Sequence, residues 1–239
     1  ENNSEEQETF DYYKNLSWRY PKARVLTWED GFNYSAINNF AVKEAKGSYL
    51  LFLNNDVEVI SPGWIEEMLM FAQREDVGAV GARLLYPDDT IQHAGVILGI
   101  GGCAGHANKY IPKTAPGYAN RALIAQDLSA CTAACLMVRK SVFDEVNGFD
   151  ESFEVAFNDV DFCLRIREKD CLIVYTPYAE LYHYESKSRG HEDSSEKQTR
   201  FNGEVFRLKE RWGEILVSDP YYNSNLTLRS ENFSIKLKE

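Results

Sequence analysis

The sequence predicts an α/β fold, a mostly parallel sheet flanked by helices. Three observations point there. Leu50-Leu51-Phe52-Leu53 and the stretch from Val77 to Leu85 read as strands buried on both faces. Segments with helical spacing alternate with such runs, the order expected of strand–helix–strand units. The first run passes directly into Asn54-Asn55-Asp56, which puts polar groups at the carboxyl end of a buried strand, where open α/β sheets bind their ligands.

The elements follow in order. Phe10, Tyr13 and Leu16 space the apolar side of a first helix that reaches about Trp18 and is ended by Pro21. Arg24 to Trp28 is a short strand. Asn33 caps a second helix carrying Ile37, Phe40 and Ala41, closed by Gly47. The strand at 49–53 comes next, so a right-handed parallel crossover is expected between these two strands. Ser61-Pro62 is a helix start, and Trp64, Ile65, Met68, Leu69 and Phe71 give that helix a wide apolar side. After the strand at 77–85 and a Pro87-Asp88-Asp89 turn, Ile91 to Leu98 reads as one strand containing Gln92-His93.

Gly99 to Asn120, rich in Gly, Ala and Pro, has no periodicity and reads as a lid or acceptor-side loop. Ala130 to Val138 is a strand, Ser141 starts a short helix, and Asn147 to Glu151 is a turn. Asn158 caps a helix whose first turn carries Asp159 and Asp161. Acids there suit the helix dipole, which accounts for them without any chemistry, and Asp161 is spaced to pair with Arg165. Leu172 to Thr176 is a strand, and Ala179 to Tyr184 holds His183 among aromatics. Ser186 to Glu196 is a loop, Glu196 to Trp212 an amphipathic helix, and the tail from Asp219 wraps the surface.

With 239 residues, 44% hydrophobic and 26% charged, the chain can bury a sizeable core. It reads as one domain over 1–239, in parts at 1–90 and 91–190 with a C-terminal helix and tail (191–239). A net charge of −11 argues against a nucleic-acid partner. No leader opens the chain and no apolar run approaches the roughly 20 residues of a membrane span, so the expectation is a cytoplasmic protein compatible with peripheral contact at the inner face of the membrane. Five cysteines without a CxxC pair fit reduced, buried thiols.

Asp56, Asp159 and His183 form the candidate constellation. A carboxylate and an imidazole can hold a divalent ion while a second carboxylate stays free as a base. No P-loop, GxGxxG or nucleophile-elbow pattern competes.

These residues resemble the family 2 glycosyltransferases, inverting enzymes of the GT-A (Rossmann-like) fold, over nearly the whole chain. Asn54-Asn55-Asp56 is similar to the family's DxD-type motif, in which the last Asp binds metal. Phe157 to Arg165 resembles its (E/D)D-x-D-x-x-x-R helix start, Gly148-Phe149-Asp150-Glu151 the turn before it, and His183 a downstream metal-site His. The resemblance implies Asp159 as catalytic base, Asp56 and His183 as ligands of Mn²⁺ or Mg²⁺, and Asn54, Asn55 and Asn38 as donor-binding. Gln92, His93 and Asp161 are placed on the acceptor side.

The implied reaction moves a sugar from a nucleotide-diphosphate donor to a hydroxyl of a saccharide or lipid-linked acceptor, in surface polysaccharide synthesis. The sequence departs from the family in two ways. Asn54 stands where many members carry Asp. Glu1-Asn2-Asn3-Ser4 resembles only the loop after the family's second strand, so the first strand–helix–strand unit reads as missing, and a homodimer is one way to cover the edge this exposes. A non-catalytic nucleotide- or carbohydrate-binding module is the alternative reading.

Overall fold

The computed structural model describes residues 6–184 and 194–237. Helices α1 (Gln7–Arg19) and α2 (Tyr34–Glu44) precede β1 (Tyr49–Leu53) and β2 (Val57–Val59). Then come α3 (Trp64–Ala72), β3 (Val77–Leu85), β4 (Ile91–His93), β5 (Val96–Leu98), β6 (Ala104–His106) and β7 (Gln126–Leu128). The rest is β8 (Cys135–Arg139), α4 (Lys140–Glu145), α5 (Asn158–Arg167), β9 (Leu172–His183) and α6 (Ser195–Leu216).

Among the described residues the main sheet runs β1-β8-β3-β9-β2, with β4 on β3 and β7 on β9. Of these pairings only β3–β9 is parallel. The sheet is therefore mixed rather than mostly parallel. Strands β1, β3 and β9 do share one direction, but β8 runs between β1 and β3 against both. An unbroken apolar run reports burial on two faces and carries no information about the direction of the neighbour.

Helices cover both faces. Leu50 and Phe52 of β1, Ala79 and Leu85 of β3 and Leu136 and Val138 of β8 pack with α4, α5 and α6, while Val80, Ala82, Leu84, Cys135 and Met137 pack with Met68 and Ala72 of α3. This alternation is the period of two expected along a strand. Phe52, Phe143, Phe149 and Phe162 form an aromatic cluster, with 4.9 Å between the Phe52 and Phe149 centroids and 4.4 Å between those of Phe149 and Phe162. It clamps β1 to α5, and burying each such side chain is worth about 1.5–3 kcal/mol.

Several expected elements differ. Of residues 24–28, Arg24 and Thr27 are exposed, the others are half-buried, and the segment holds only a bridge at Thr27, so the expected parallel crossover is not built. The run at 91–98 splits at Gly95 (φ 93°) into β4, on the main sheet, and β5, which pairs with β6. Residues 130–134 are irregular and only 135–139 form β8. The two expected strands at 172–176 and 179–184 are one strand, β9. Pro177 lies where its register against β3 slips, between Ala82↔Thr176 and Arg83↔Glu180, a place that tolerates a residue lacking an N–H.

Helix α3 starts after Gly63 (φ 76°). Ser61 accepts the Glu180 N–H at 3.1 Å in place of capping that helix. The segment 99–120 is anchored rather than a free lid. It contains β6, and Ile100 and Ala107 pack with Leu226 and Phe233 of the tail. The five cysteines are free thiols. Most of the expected loop at 186–196 lies outside the described residues.

Candidate active site

Backbone register brings Asp56 and His183 together. After β1, the Asn54 N–H continues the ladder to the Ala134 carbonyl at 2.9 Å, and the chain turns into β2. Strand β2 runs antiparallel to the end of β9 with Val57 opposite His183, and the Tyr184 N–H donates to the Asp56 carbonyl at 2.9 Å. The His183 Nε2 thereby lies 3.2 Å from Asp56 Oδ1 and 3.2 Å from Asn54 Nδ2. Its Nδ1 lies 2.6 Å from Gln92 Oε1.

Asp159 comes to the 132–134 turn from α5. It sits in the first turn of α5, entered through Phe157 at φ 60°. A left-handed phenylalanine stores strain of order 1–3 kcal/mol, which surrounding contacts must hold. Asn158 is thus the first helical residue rather than the cap, and its amide donates to the Val155 carbonyl at 2.9 Å. Asp159 Oδ1 accepts the Val160 N–H at 2.8 Å, and Oδ2 accepts the Ala133 N–H at 3.2 Å.

One turn, Thr132-Ala133-Ala134, therefore links the two acids. Ala134 holds Asn54, and Ala133 holds Asp159. The Tyr34 hydroxyl donates to the Ala133 carbonyl at 2.9 Å. The turn lies close to the sheet because Gly81 leaves room for Cys131. A Cβ at Gly81 would stand 2.3 Å from the Cys131 Cβ.

The donor set suits a hard divalent ion. One carboxylate and one imidazole, with an amide side chain beside them, leave positions open for diphosphate oxygens and water, the way Mg²⁺ is commonly bound beside nucleotides. Among the described residues no group of three or more His, Cys, Asp or Glu is arranged for a metal. The ligands from this chain would be Asp56 and His183.

Other expected site residues sit differently. Asn55 is exposed beside Asp56. Asn38 lies one turn along α2 from Tyr34, its amide donating back to the Tyr34 carbonyl at 2.8 Å. Gln92 is buried and its Oε1 meets the His183 Nδ1.

His93 is fully buried, with Nδ1 2.7 Å from His106 Nδ1 and Nε2 accepting the Thr132 N–H at 3.4 Å. Burial, then the nearby His106 and His183, push its pKa well below the usual histidine value. It thereby touches the 132–134 turn. Asp161 faces inward with no exposed surface. Arg165, Arg211 and Trp212 donate to it, so it is an ion-pair hub and cannot meet an acceptor.

Two supporting groups escape the sequence reading. Asn39 grips Phe149 through both its backbone N–H and carbonyl, at 2.9 Å each. Glu204 of α6, almost fully buried, accepts the Val155 and Ala156 N–H groups at 2.8 and 3.2 Å, just before α5. Glu204 could have been found, because it stands on the apolar side of its helix, four residues before Leu208. Asn39 carries no such signal.

The profile described as "Glycosyl transferase family 2" matches residues 1–146. Over 98% of its length this chain is 47% identical to protein y4gI of Sinorhizobium fredii and 39% identical to the O-antigen biosynthesis protein RfbC of Myxococcus xanthus. It spans only 26% and 18% of those two proteins. An N-acetylglucosaminyl-diphospho-decaprenol L-rhamnosyltransferase of Mycobacterium tuberculosis is 28% identical, covering 74% of this chain and 64% of that one.

Two solved structures share the fold. One is GalNAc-T7 with UDP, GalNAc and Mn²⁺ (TM-score 0.63, 14% identity, 88% of this chain and 40% of that one). The other is the mannosyltransferase PcManGT of Pyrobaculum calidifontis with GDP-Man and Mn²⁺ (0.57, 12%, 86% and 52%). Both are glycosyltransferases whose fold this mixed sheet and its two helical layers match. The profile covers more than half of the residues, and RfbC is related along nearly all of them: the chain belongs to glycosyl transferase family 2.

Proposed function

We propose that this chain is the catalytic part of an inverting glycosyltransferase that moves a sugar from a nucleotide-diphosphate donor to an acceptor hydroxyl with the help of Mn²⁺ or Mg²⁺. One observation carries the reading. Asp56 and His183 meet at 3.2 Å, Asn54 beside them is hydrogen-bonded to Ala134, and Asp159 is hydrogen-bonded to Ala133 of the same turn.

Asp56 and His183 would hold the ion, with Asn54 and Asn55 beside the donor. When bound, the ion supplies a Lewis acid at the diphosphate. Asp159 takes the proton of the acceptor hydroxyl as that oxygen attacks the anomeric carbon, the nucleotide diphosphate leaves from the opposite face, and the configuration inverts. A positioned base of this kind is worth roughly 10²–10⁴ in rate. The Ala133 and Val160 N–H groups hold its carboxylate in place.

The Mn²⁺ named with both structural neighbours supports the metal. The names of RfbC and of the rhamnosyltransferase support a setting in surface glycan synthesis with a saccharide or diphospho-lipid acceptor.

The test is binding and turnover of UDP-, GDP- and dTDP-sugars with and without Mn²⁺. Asp159→Asn is expected to keep Mn²⁺-dependent donor binding and lose 10²–10⁴ in transfer or donor hydrolysis. Asp56→Ala is expected to lose the Mn²⁺-dependent part of binding. Near-full turnover in Asp159→Asn, or unchanged metal dependence in Asp56→Ala, would overturn the assignment.

A further inference from the structure

Gln92 touches His183 at two points. Its Nε2 lies 3.3 Å from the His183 backbone carbonyl, and its Oε1 lies 2.6 Å from the His183 Nδ1. A backbone carbonyl only accepts, so the end of the amide that faces it must be the NH₂ group. That orientation places the amide oxygen at Nδ1. An amide oxygen also only accepts, so Nδ1 must carry a proton. In the neutral ring the remaining lone pair is then on Nε2, the nitrogen that faces Asp56 Oδ1 and Asn54 Nδ2 at 3.2 Å each. The Asn54 NH₂ as donor to that lone pair agrees with the same assignment.

We propose that Gln92 is a positioning residue of the metal site. Its amide fixes the ring of His183 in the Nδ1–H tautomer and aims the Nε2 lone pair at the point shared with Asp56. The proposal rests on the metal-dependent reading above and extends it to a residue outside the ligand pair.

The contact is well placed to do this. Gln92 and His183 are both buried, so water does not compete strongly for either group. Gln92 lies on β4 and His183 at the end of β9, and both strands are laddered to β3 at Leu84 and Leu85. The amide therefore approaches from a rigid element. Without it the ring could place its proton on Nε2 and donate to Asp56, which occupies the position an ion needs. Partners on the far nitrogen of a metal-binding histidine typically change metal affinity 10–100-fold when removed.

The test has a metal-binding arm and a metal-free arm. Free Mn²⁺ is titrated by EPR against the wild type, Gln92→Leu, Gln92→Glu, Asp56→Ala and His183→Ala, with Tm recorded for each. Gln92→Leu removes the acceptor at Nδ1 and is expected to weaken Mn²⁺ binding 10–100-fold. Gln92→Glu retains an acceptor there but loses the donor to the His183 carbonyl. It should stay near wild-type affinity even though its Tm falls alongside that of Gln92→Leu. Equal affinities for Gln92→Leu and wild type, while Asp56→Ala and His183→Ala abolish binding, would overturn the proposal and leave the metal reading standing. Binding untouched in Asp56→Ala and His183→Ala would overturn the metal reading itself.

In the metal-free arm, two-bond ¹H–¹⁵N spectra of the wild type near pH 8 report the tautomer directly, the His183 signals being those absent from His183→Ala. The Nδ1–H pattern is expected. An Nε2–H pattern would overturn the proposal whatever the metal data say, and whether or not Gln92→Leu folds.

Discussion

Arg211 Nη1 donates to Asp161 Oδ1 at 2.7 Å, joining α6 to α5 through a carboxylate that has no solvent exposure. Trp212 Nε1 donates to the same oxygen at 2.9 Å, and Arg165 Nε donates to Oδ2 at 2.8 Å. The other arms reach outward, from Arg211 to Asp150 at 2.7 Å and from Arg165 to the Gly148 carbonyl at 2.8 Å. One buried acid thus ties the turn at 148–150, the helix bearing Asp159 and the C-terminal helix into a single unit. Removing one partner of a buried ion pair leaves uncompensated charge and costs about 3–5 kcal/mol. Asp161→Ala is therefore expected to lose that much in urea unfolding. A loss below 1 kcal/mol would show that the hub is dispensable.

Gly148 holds the same turn from another direction. Its φ is +68°, and an added Cβ would lie 2.5 Å from Asn39 Oδ1 and 2.8 Å from the Phe143 ring. Asn39 is the residue that grips Phe149, and Phe149 belongs to the aromatic cluster joining β1 to α5. Gly148→Ala is expected to cost about 1–3 kcal/mol through backbone strain and displacement of that grip. Differential unfolding against wild type measures it. An unchanged Tm would mean the turn can relax without disturbing Phe149.

Much of this site is legible in the chain because its chemistry sits at element ends. Asp56 follows an apolar run, Asp159 opens a helix, and both patterns survive without knowledge of partners. The approach of His183 to Asp56 depends on β2 pairing with the end of β9, a long-range register that three residues at Val57–Val59 do not announce. The surroundings of Gln92 and Asp161 are hidden for a related reason. Both are polar residues next to apolar ones, and burial turns one onto His183 and the other into an ion-pair hub. The sheet's mixed direction is hidden too, since β8 runs against β1 and β3 while burying its residues as they do.

His93 gives the fold a sensitivity to mild acid. Burial, with His106 and His183 near it, depresses its folded-state pKa well below the unfolded value of about 6.5. The unfolded chain therefore binds a proton at this position that the folded chain excludes. The stability contribution is complete above pH 6.5 and is lost as pH falls, at up to about 1.4 kcal/mol per unit. Asp76, Asp88 and Asp89 are held below the usual carboxylate range, chiefly by hydrogen bonds from Arg74, Thr90 and Lys113, so their contributions fade only below about pH 4. Unfolding free energies at pH 7.5, 6.5 and 5.5 should fall more steeply for wild type than for His93→Gln. Parallel curves would rule His93 out as the source.

Glu204 offers a test of whether the proposed base, Asp159, is positioned apart from the proposed metal ligands. Its two oxygens accept the half-buried Val155 and Ala156 N–H groups just ahead of the strained Phe157 and of Asp159. In Glu204→Gln one oxygen becomes an NH₂ group facing one of those donors. An unsatisfied buried donor costs about 1–3 kcal/mol, and the loop that aims Asp159 loosens. Asp56 and His183 are held by the pairing of β2 with β9 and by Gln92, whereas Glu204 bonds the segment before α5. The expected result is a lower Tm and a clear fall in kcat, with Mn²⁺ affinity unchanged. A parallel loss of Mn²⁺ affinity would show that the base and the ion-binding pair move as one body, and the separate positioning of Asp159 by α6 would have to be abandoned.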